Sequence, residues 1–160
     1  MSQSSSGIRG GFEPMGKEEV AFMWQSKFGI PEEVFKGFSF YRKAQSIWIC
    51  SNAVLPELSY ETIGMRLISL KDLPWKPTTA ALRIFGRYAT KNSVCLTLEQ
   101  ARIFMAGGSQ IIQPSPEMDS GYVIVMYNES VLGCGLYSNG KLISQIPKES
   151  RITLEEGEEI

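Results

Sequence analysis

Apolar positions change their spacing several times along the chain, and each change marks an element. Between Lys17 and Phe28, Val20, Trp24 and Phe28 recur every four residues, which stacks them on one face of a helix. Glu18 and Glu19 in the first turn and Lys27 in the last complement the helix dipole, and Gly29 followed by Pro31 stops the run. Pro31, Glu32 and Glu33 then open a second, short helix that carries Val34 and Phe35 and ends at Gly37. Residues 38–41 and 46–50 are aromatic and branched on either side of a polar turn at Lys43-Ala44-Gln45, and this predicts a hairpin. Over residues 61–70, Ile63, Met65, Leu67 and Ser69 alternate with Thr62, Arg66 and Ile68, so a third strand is expected.

Pro74 and Pro77 break this pattern, and Thr78 or Thr79 caps a helix through Ala81, Leu82 and Phe85 to Gly86. Arg83, Arg87 and Lys91 follow one another across the expected boundary between two units, which is therefore basic. A short strand at Val94-Cys95-Leu96 leads into Thr97 and Gln100, spaced as a capping box, and a helix to about Ala106 ends at Gly107-Gly108. Residues 110–112 restart as a strand. From Gly121 the chain reads as hairpins, with Asn139-Gly140 as the sharpest turn signal; centring the turn there sets Tyr137 opposite Leu142, Leu136 opposite Ile143 and Gly135 opposite Ser144. Gly133 and Gly135 inside these strands predict a bulge, a bend or a close approach of another segment, and hence a small curved barrel. Residues 151–153 supply a last strand.

Composition adds a charge asymmetry. Lys and Arg number 16 and Asp and Glu 17, but Glu155, Glu156, Glu158 and Glu159 stand in the last six positions, so residues 1–154 carry 16 basic and 13 acidic groups, a net of +3. The body is mildly basic, and the tail is acidic. Cys50, Cys95 and Cys134 are far apart, each beside apolar residues, and are expected as small buried thiols in a reducing cytoplasm. The apolar runs are too short and too interrupted to span a membrane.

Without histidine the commonest general base is missing, and no Ser or Cys has a His partner to activate it. No metal site of the usual kind and no phosphate-binding glycine motif is present, because Gly133-Cys134-Gly135 sits between strands rather than before a helix. No catalytic site and no cofactor are expected. Binding chemistry is easier to assemble: Gly107-Gly108 leaves backbone that a phosphate-bearing strand can approach, with Arg102, Lys91, Lys141, Lys148 and Arg151 as candidate cations around it. The plainer alternative is that the two glycines only cap a helix.

The order strand, helix, Gly-Gly, strand, polar loop, then GYVIVMYNESVLGCGLYSNGKLISQIPKESRI resembles a PUA domain, a pseudo-barrel found on RNA-modifying proteins. LGCGLYSNGKLISQIPKESRI is similar to the C-terminal end of RsmF and Sun-type RNA cytosine-5 methyltransferases, and KPTTAALRIFGRYATKNSVCLTLEQARIFMAGG to the segment that joins their pre-PUA and PUA units. The fold this implies is α+β, a small pre-PUA-like α+β unit over 15–88 and a PUA-type pseudo-barrel over 89–154; the Ser- and Gly-rich residues 1–14 are expected to be disordered by their composition, and residues 155–160 to form an acidic tail. The resemblance also implies RNA held between the helix and nearby strands, with Arg102, Gly107 and Gly108 at the helix end and Lys141 and Arg151 beside them. None of the three cysteines follows a proline, as the catalytic cysteines of those enzymes do. The expected function is therefore a monomeric, non-catalytic, cytoplasmic protein that binds structured rRNA or tRNA in RNA modification or ribosome assembly. It either stands alone or serves a separate methyltransferase subunit; the alternative is a scaffold that docks a methyltransferase or ribosomal protein without touching RNA.

Overall fold

A computed structural model describes residues 11–51, 64–71, 74–113, 115 and 118–153. The expected tail at 155–160 and the start of the third strand, 61–63, lie outside them. The first sheet is a meander in chain order: β1 (Glu13–Met15), β2 (Phe38–Lys43), β3 (Ser46–Ser51), β4 (Met65–Ser69) and β5 (Lys76–Pro77). Helix α1 (Lys17–Phe28) packs on it through Val20, Ala21, Trp24 and Phe28, all buried, and Gly29 closes the helix in the left-handed conformation. The short second helix is a single 3-10 turn, Glu32–Phe35, whose Phe35 ring lies 4.9 Å from that of Phe85.

Two details of this sheet depart from the expected pattern. Phe12 is buried, edge-on to Trp48 at 5.7 Å, and pulls the end of the Ser- and Gly-rich stretch into the sheet as β1, where Pro14 occupies an edge strand. Strict alternation also fails in β4. Ile47 pairs with Ile68 and Trp48 with Arg66, so Leu67 is the extra residue of a bulge, and Leu67 and Ile68 are both fully buried.

Helix α2 (Thr79–Phe85), capped by Thr78 Oγ1 accepting from the Ala81 amide, joins this sheet to the second one. Ala81, Leu82 and Phe85 share one hydrophobic core with α1 and β2 to β4 and also with Tyr122, Ile124 and Cys134 of the second sheet. Polar bonds stitch the same seam: Arg83 Nε and Nη2 donate to the Leu132 carbonyl at 3.0 and 2.8 Å, and Asn92 Nδ2 donates to the Lys27 carbonyl at 2.6 Å.

The second sheet has the order β6-β8-β9-β10-β7, with β6 (Ser93–Leu96), β7 (Ser109–Ile111), β8 (Gly121–Tyr127), β9 (Ser130–Ser138) and β10 (Lys141–Ser144). It curls into a half-barrel over α3 (Leu98–Met105), so the chain is a small α+β unit followed by a PUA-type pseudo-barrel. β9 and β10 pair in the register that the Asn139-Gly140 turn dictates, and Thr97 with Gln100 forms a complete capping box. A bulge at Leu132 frees the carbonyl that Arg83 takes, since Val125 pairs with Gly133 but Met126 with Val131. β6 runs parallel to β8 as an edge strand, and its alternation sends Val94 and Leu96 inward and Cys95 out, so only Cys50 and Cys134 of the three free thiols are buried. Residues 151–153 form no strand; Ile152 instead gives one backbone bond to the Met105 carbonyl.

Candidate nucleic-acid interface

The end of α3 is the point where several of the candidate residues meet. Four carbonyls of a helix's last turn lack partners within the helix, and a buried end must find them elsewhere. Here the Gly108 amide donates to Ile103 at 2.9 Å and the Gly107 amide to Phe104 at 3.0 Å, the paired bonds of a Schellman cap, with Gly107 at φ +90°. Ser144 Oγ donates to the Phe104 carbonyl at 2.7 Å and accepts from the Ile146 amide at 3.2 Å, while the Ile152 amide takes the Met105 carbonyl at 3.0 Å. The two glycines do cap the helix, and the cap also clamps β10 and the segment after it against the helix end.

Arg151 lies directly over this cap. A Cβ on Gly107 would come within 2.6 to 2.8 Å of its Cδ, Nε and Cζ, and Arg151 Nε donates to the Ile146 carbonyl at 3.0 Å. The backbone at Gly107 is thus not bare, as the sequence led us to expect: a guanidinium covers it, held at its Nε edge. Lys148 opens the 3-10 turn Lys148–Ser150 that delivers Arg151, and both cations are exposed. Arg102 stands half-buried in the last turn of α3. Lys141 begins β10, opposite Ile111 of β7, the strand that follows Gly108.

Lys91 does not join them. Its amide bonds the Phe28 carbonyl at the end of α1, and it precedes β6, at the other end of the strand order from β7. Beside it, Asn92 is buried at φ +57°, with Oδ1 accepting from the Asp119 amide at 2.7 Å. Lys27 shares this corner; burial lowers its pKa below 10.5, against the attraction of Asp119 and, more weakly, Cys134. Burial likewise raises the Cys50 thiol above its ordinary value. Among the described residues no three His, Cys, Asp or Glu side chains gather where a metal could bind, and no helix is long and apolar enough to cross a membrane.

Residues 91–152, the half-barrel with its capped helix and the arginine over it, match the family model of the methyltransferase RsmF PUA domain. That stretch resembles the PUA domain in the C-terminal region of RsmF-type methyltransferases. A PUA domain is a non-catalytic RNA-binding module, so its presence suggests RNA binding. A comparison with curated proteins found no match.

Proposed function

We propose that this protein binds structured rRNA or tRNA through the end of α3, without catalysing a reaction itself, and acts in RNA modification or ribosome assembly in the cytoplasm. The observation that carries the reading is Arg151, fixed over the Gly107 cap beside Lys148 within the stretch that matches the PUA model. Arg102, Gly108 and Lys141 complete the contact surface, Gly107 takes part by seating Arg151, and Lys91 meets RNA only if the bound strand passes on to the β6 edge. Residues 15–88 brace residues 89–154, and the monomer serves a separate RNA cytosine-5 methyltransferase chain as its RNA-binding subunit.

Guanidinium and ammonium groups around a helix end recognise phosphates and A-form shape rather than base sequence, and such binding releases counterions. Fluorescence anisotropy with rRNA and with tRNA at two salt concentrations tests it. Binding should weaken at least tenfold between about 50 and 200 mM salt. The pair Lys148→Glu and Arg151→Gln should lower affinity at least tenfold with the thermal midpoint kept. Binding that ignores salt, or no binding at low salt, would overturn the reading in favour of a protein-docking scaffold.

A further inference from the structure

A second cationic surface lies away from α3, where the two sheets meet. The chain leaves a cleft of about 460 Å³ there, walled on one side by Arg66, Ser69, Lys71 and Lys76 of the first unit and on the other by Gln145 and Pro147 of the second. That volume falls within the range of ligand clefts, about 300–1,000 Å³. Three cations line it, and no carboxylate does among the described residues. Like charges gathered in one cleft raise the energy of the empty protein and favour an anion that enters it.

The cleft is built, not incidental. Lys76 pairs with Ser69 across β4 and β5; its Nζ donates to Gln145 Oε1 at 2.8 Å and stands 5.6 Å above the Tyr122 ring. The ammonium is thereby fixed by two residues of the other unit, and a spare N–H faces no described acid in the cleft. Thr78 Oγ1 donates to the Arg66 carbonyl at 2.8 Å, which ties the strand bearing Arg66 to the start of α2. Arg66 and Lys71 are exposed. Pro147, in the cleft wall, is followed at once by Lys148 and the turn that sets Arg151 over Gly107. The two cationic surfaces are therefore consecutive along one short segment, 145–151.

We infer that this cleft holds the phosphodiester backbone of the same RNA, so that the bound strand runs from the end of α3, past Lys148, into the seam between the two units. The inference rests on the RNA-binding reading above and gives the first unit a direct part in it. Phosphate oxygens meet Arg66, Lys71 and Lys76, and the Ser69 hydroxyl supplies a neutral donor. An RNA strand fits better than a small anion because the cations are spread over β4, β5 and the residue Lys71 just beyond β4, and continue outward to Lys148 rather than converging on one point.

The test compares the double variant Arg66→Ser and Lys71→Ser with the Lys148→Glu and Arg151→Gln pair, on the full chain and the same RNA. Removing two phosphate contacts should lower the salt slope by about 1.4 to 1.8 and affinity at least tenfold at low salt. Arg66→Lys with Lys71→Arg keeps the charge and should keep the binding, which separates lost charge from lost fold. Wild-type slope and affinity in the serine variant, alongside lost binding in the α3-end pair, would overturn the cleft and leave the RNA reading standing. Absence of salt-sensitive RNA binding by the wild type would overturn both. Inorganic phosphate that raises the thermal midpoint through Arg66 and Lys71, with RNA affinity unchanged in the serine variant, would assign the cleft to a small phosphate and overturn the RNA path.

Discussion

Gly133 and Gly135 lie within one strand, Gly107 and Gly108 end one helix, and the two pairs do opposite work. A Cβ at Gly135 would sit 2.7 Å from Leu142 Cδ1, 2.9 Å from Val125 Cγ2 and 3.3 Å from Phe104 Cε1, and all three neighbours are fully buried. A Cβ at Gly133 would meet Ile146 Cδ1 at 2.7 Å and the Thr79 side chain at 3.1 Å, so that glycine is where α2 closes on the half-barrel. At Gly107 the space is filled as well, but by the exposed side chain of Arg151, held there through its Nε. In the strand, missing side chains let apolar layers touch; at the helix end, one lets a cation settle on backbone. Core glycines set the shape, and the cap glycine sets where a charge stands.

The largest effect is therefore expected at Gly135. Gly135→Ala adds a methyl group where no neighbour can yield, and overpacking of that kind costs about 1–3 kcal/mol. Gly133→Ala should cost a similar amount through the seam, since Thr79 and Ile146 both have to move. Urea unfolding measures both. A loss below about 0.5 kcal/mol at Gly135, the range of inert surface changes, would mean the barrel is looser than its packing shows.

How much of this was legible in the sequence depended on the range of the interaction. Turn and cap chemistry is local, so the Asn139-Gly140 register and the Thr97 capping box could be read directly, and the cap of α2 could be narrowed to Thr78 or Thr79, of which Thr78 is the one. Gly133 and Gly135 were recognisable as points of close approach, but what approaches was not, because Thr79 and Phe104 come from distant elements. The Leu67 bulge escaped because apolar residues at 67 and 68 look the same whether a strand alternates or bulges. Among the site residues, the Gly-Gly cap was visible; the stacking of Arg151 on Gly107, across 44 positions of sequence, was not. The cleft cations Arg66, Lys71 and Lys76 left no local signal either. Their meaning comes from Gln145 and Pro147 on the facing wall.

A smaller effect on stability is expected at the cap. Gly107→Ala must hold a side chain at φ +90°, which costs about 1–2 kcal/mol, and the methyl group displaces Arg151 and breaks its Nε bond to the Ile146 carbonyl. RNA affinity should fall with it, since the displaced arginine loses its fixed position. Arg151→Ala should lower affinity as much while barely moving the urea midpoint. If Gly107→Ala weakens folding and leaves RNA binding intact, the glycine serves only the cap and the position of Arg151 is irrelevant to recognition.

The smallest effect belongs to the other place where a glycine makes room for a cation. Lys27 Nζ stands 3.2 Å from where a Cβ of Gly121 would be, so this ammonium, like the Arg151 guanidinium, occupies space that glycine leaves, but it is half-buried. Burial lowers its pKa in the folded chain beneath the 10.5 of an exposed lysine. At neutral pH both folded and unfolded chains hold the proton, and the penalty on the buried charge applies in full. As pH rises through the folded pKa towards 10.5, the unfolded chain keeps a proton that the folded chain has given up, so this lysine's contribution to stability increases with pH across that window. Lys27→Met removes the titration. The variant should match or exceed the wild type in thermal midpoint near neutral pH, and the wild type should gain on it through the alkaline window. Midpoints that stay parallel from about pH 8 upward would show that Lys27 is as well solvated as an exposed lysine, because only a pKa that differs between the two states makes stability depend on pH. The glycine at 121 would then leave room for water rather than for a buried charge.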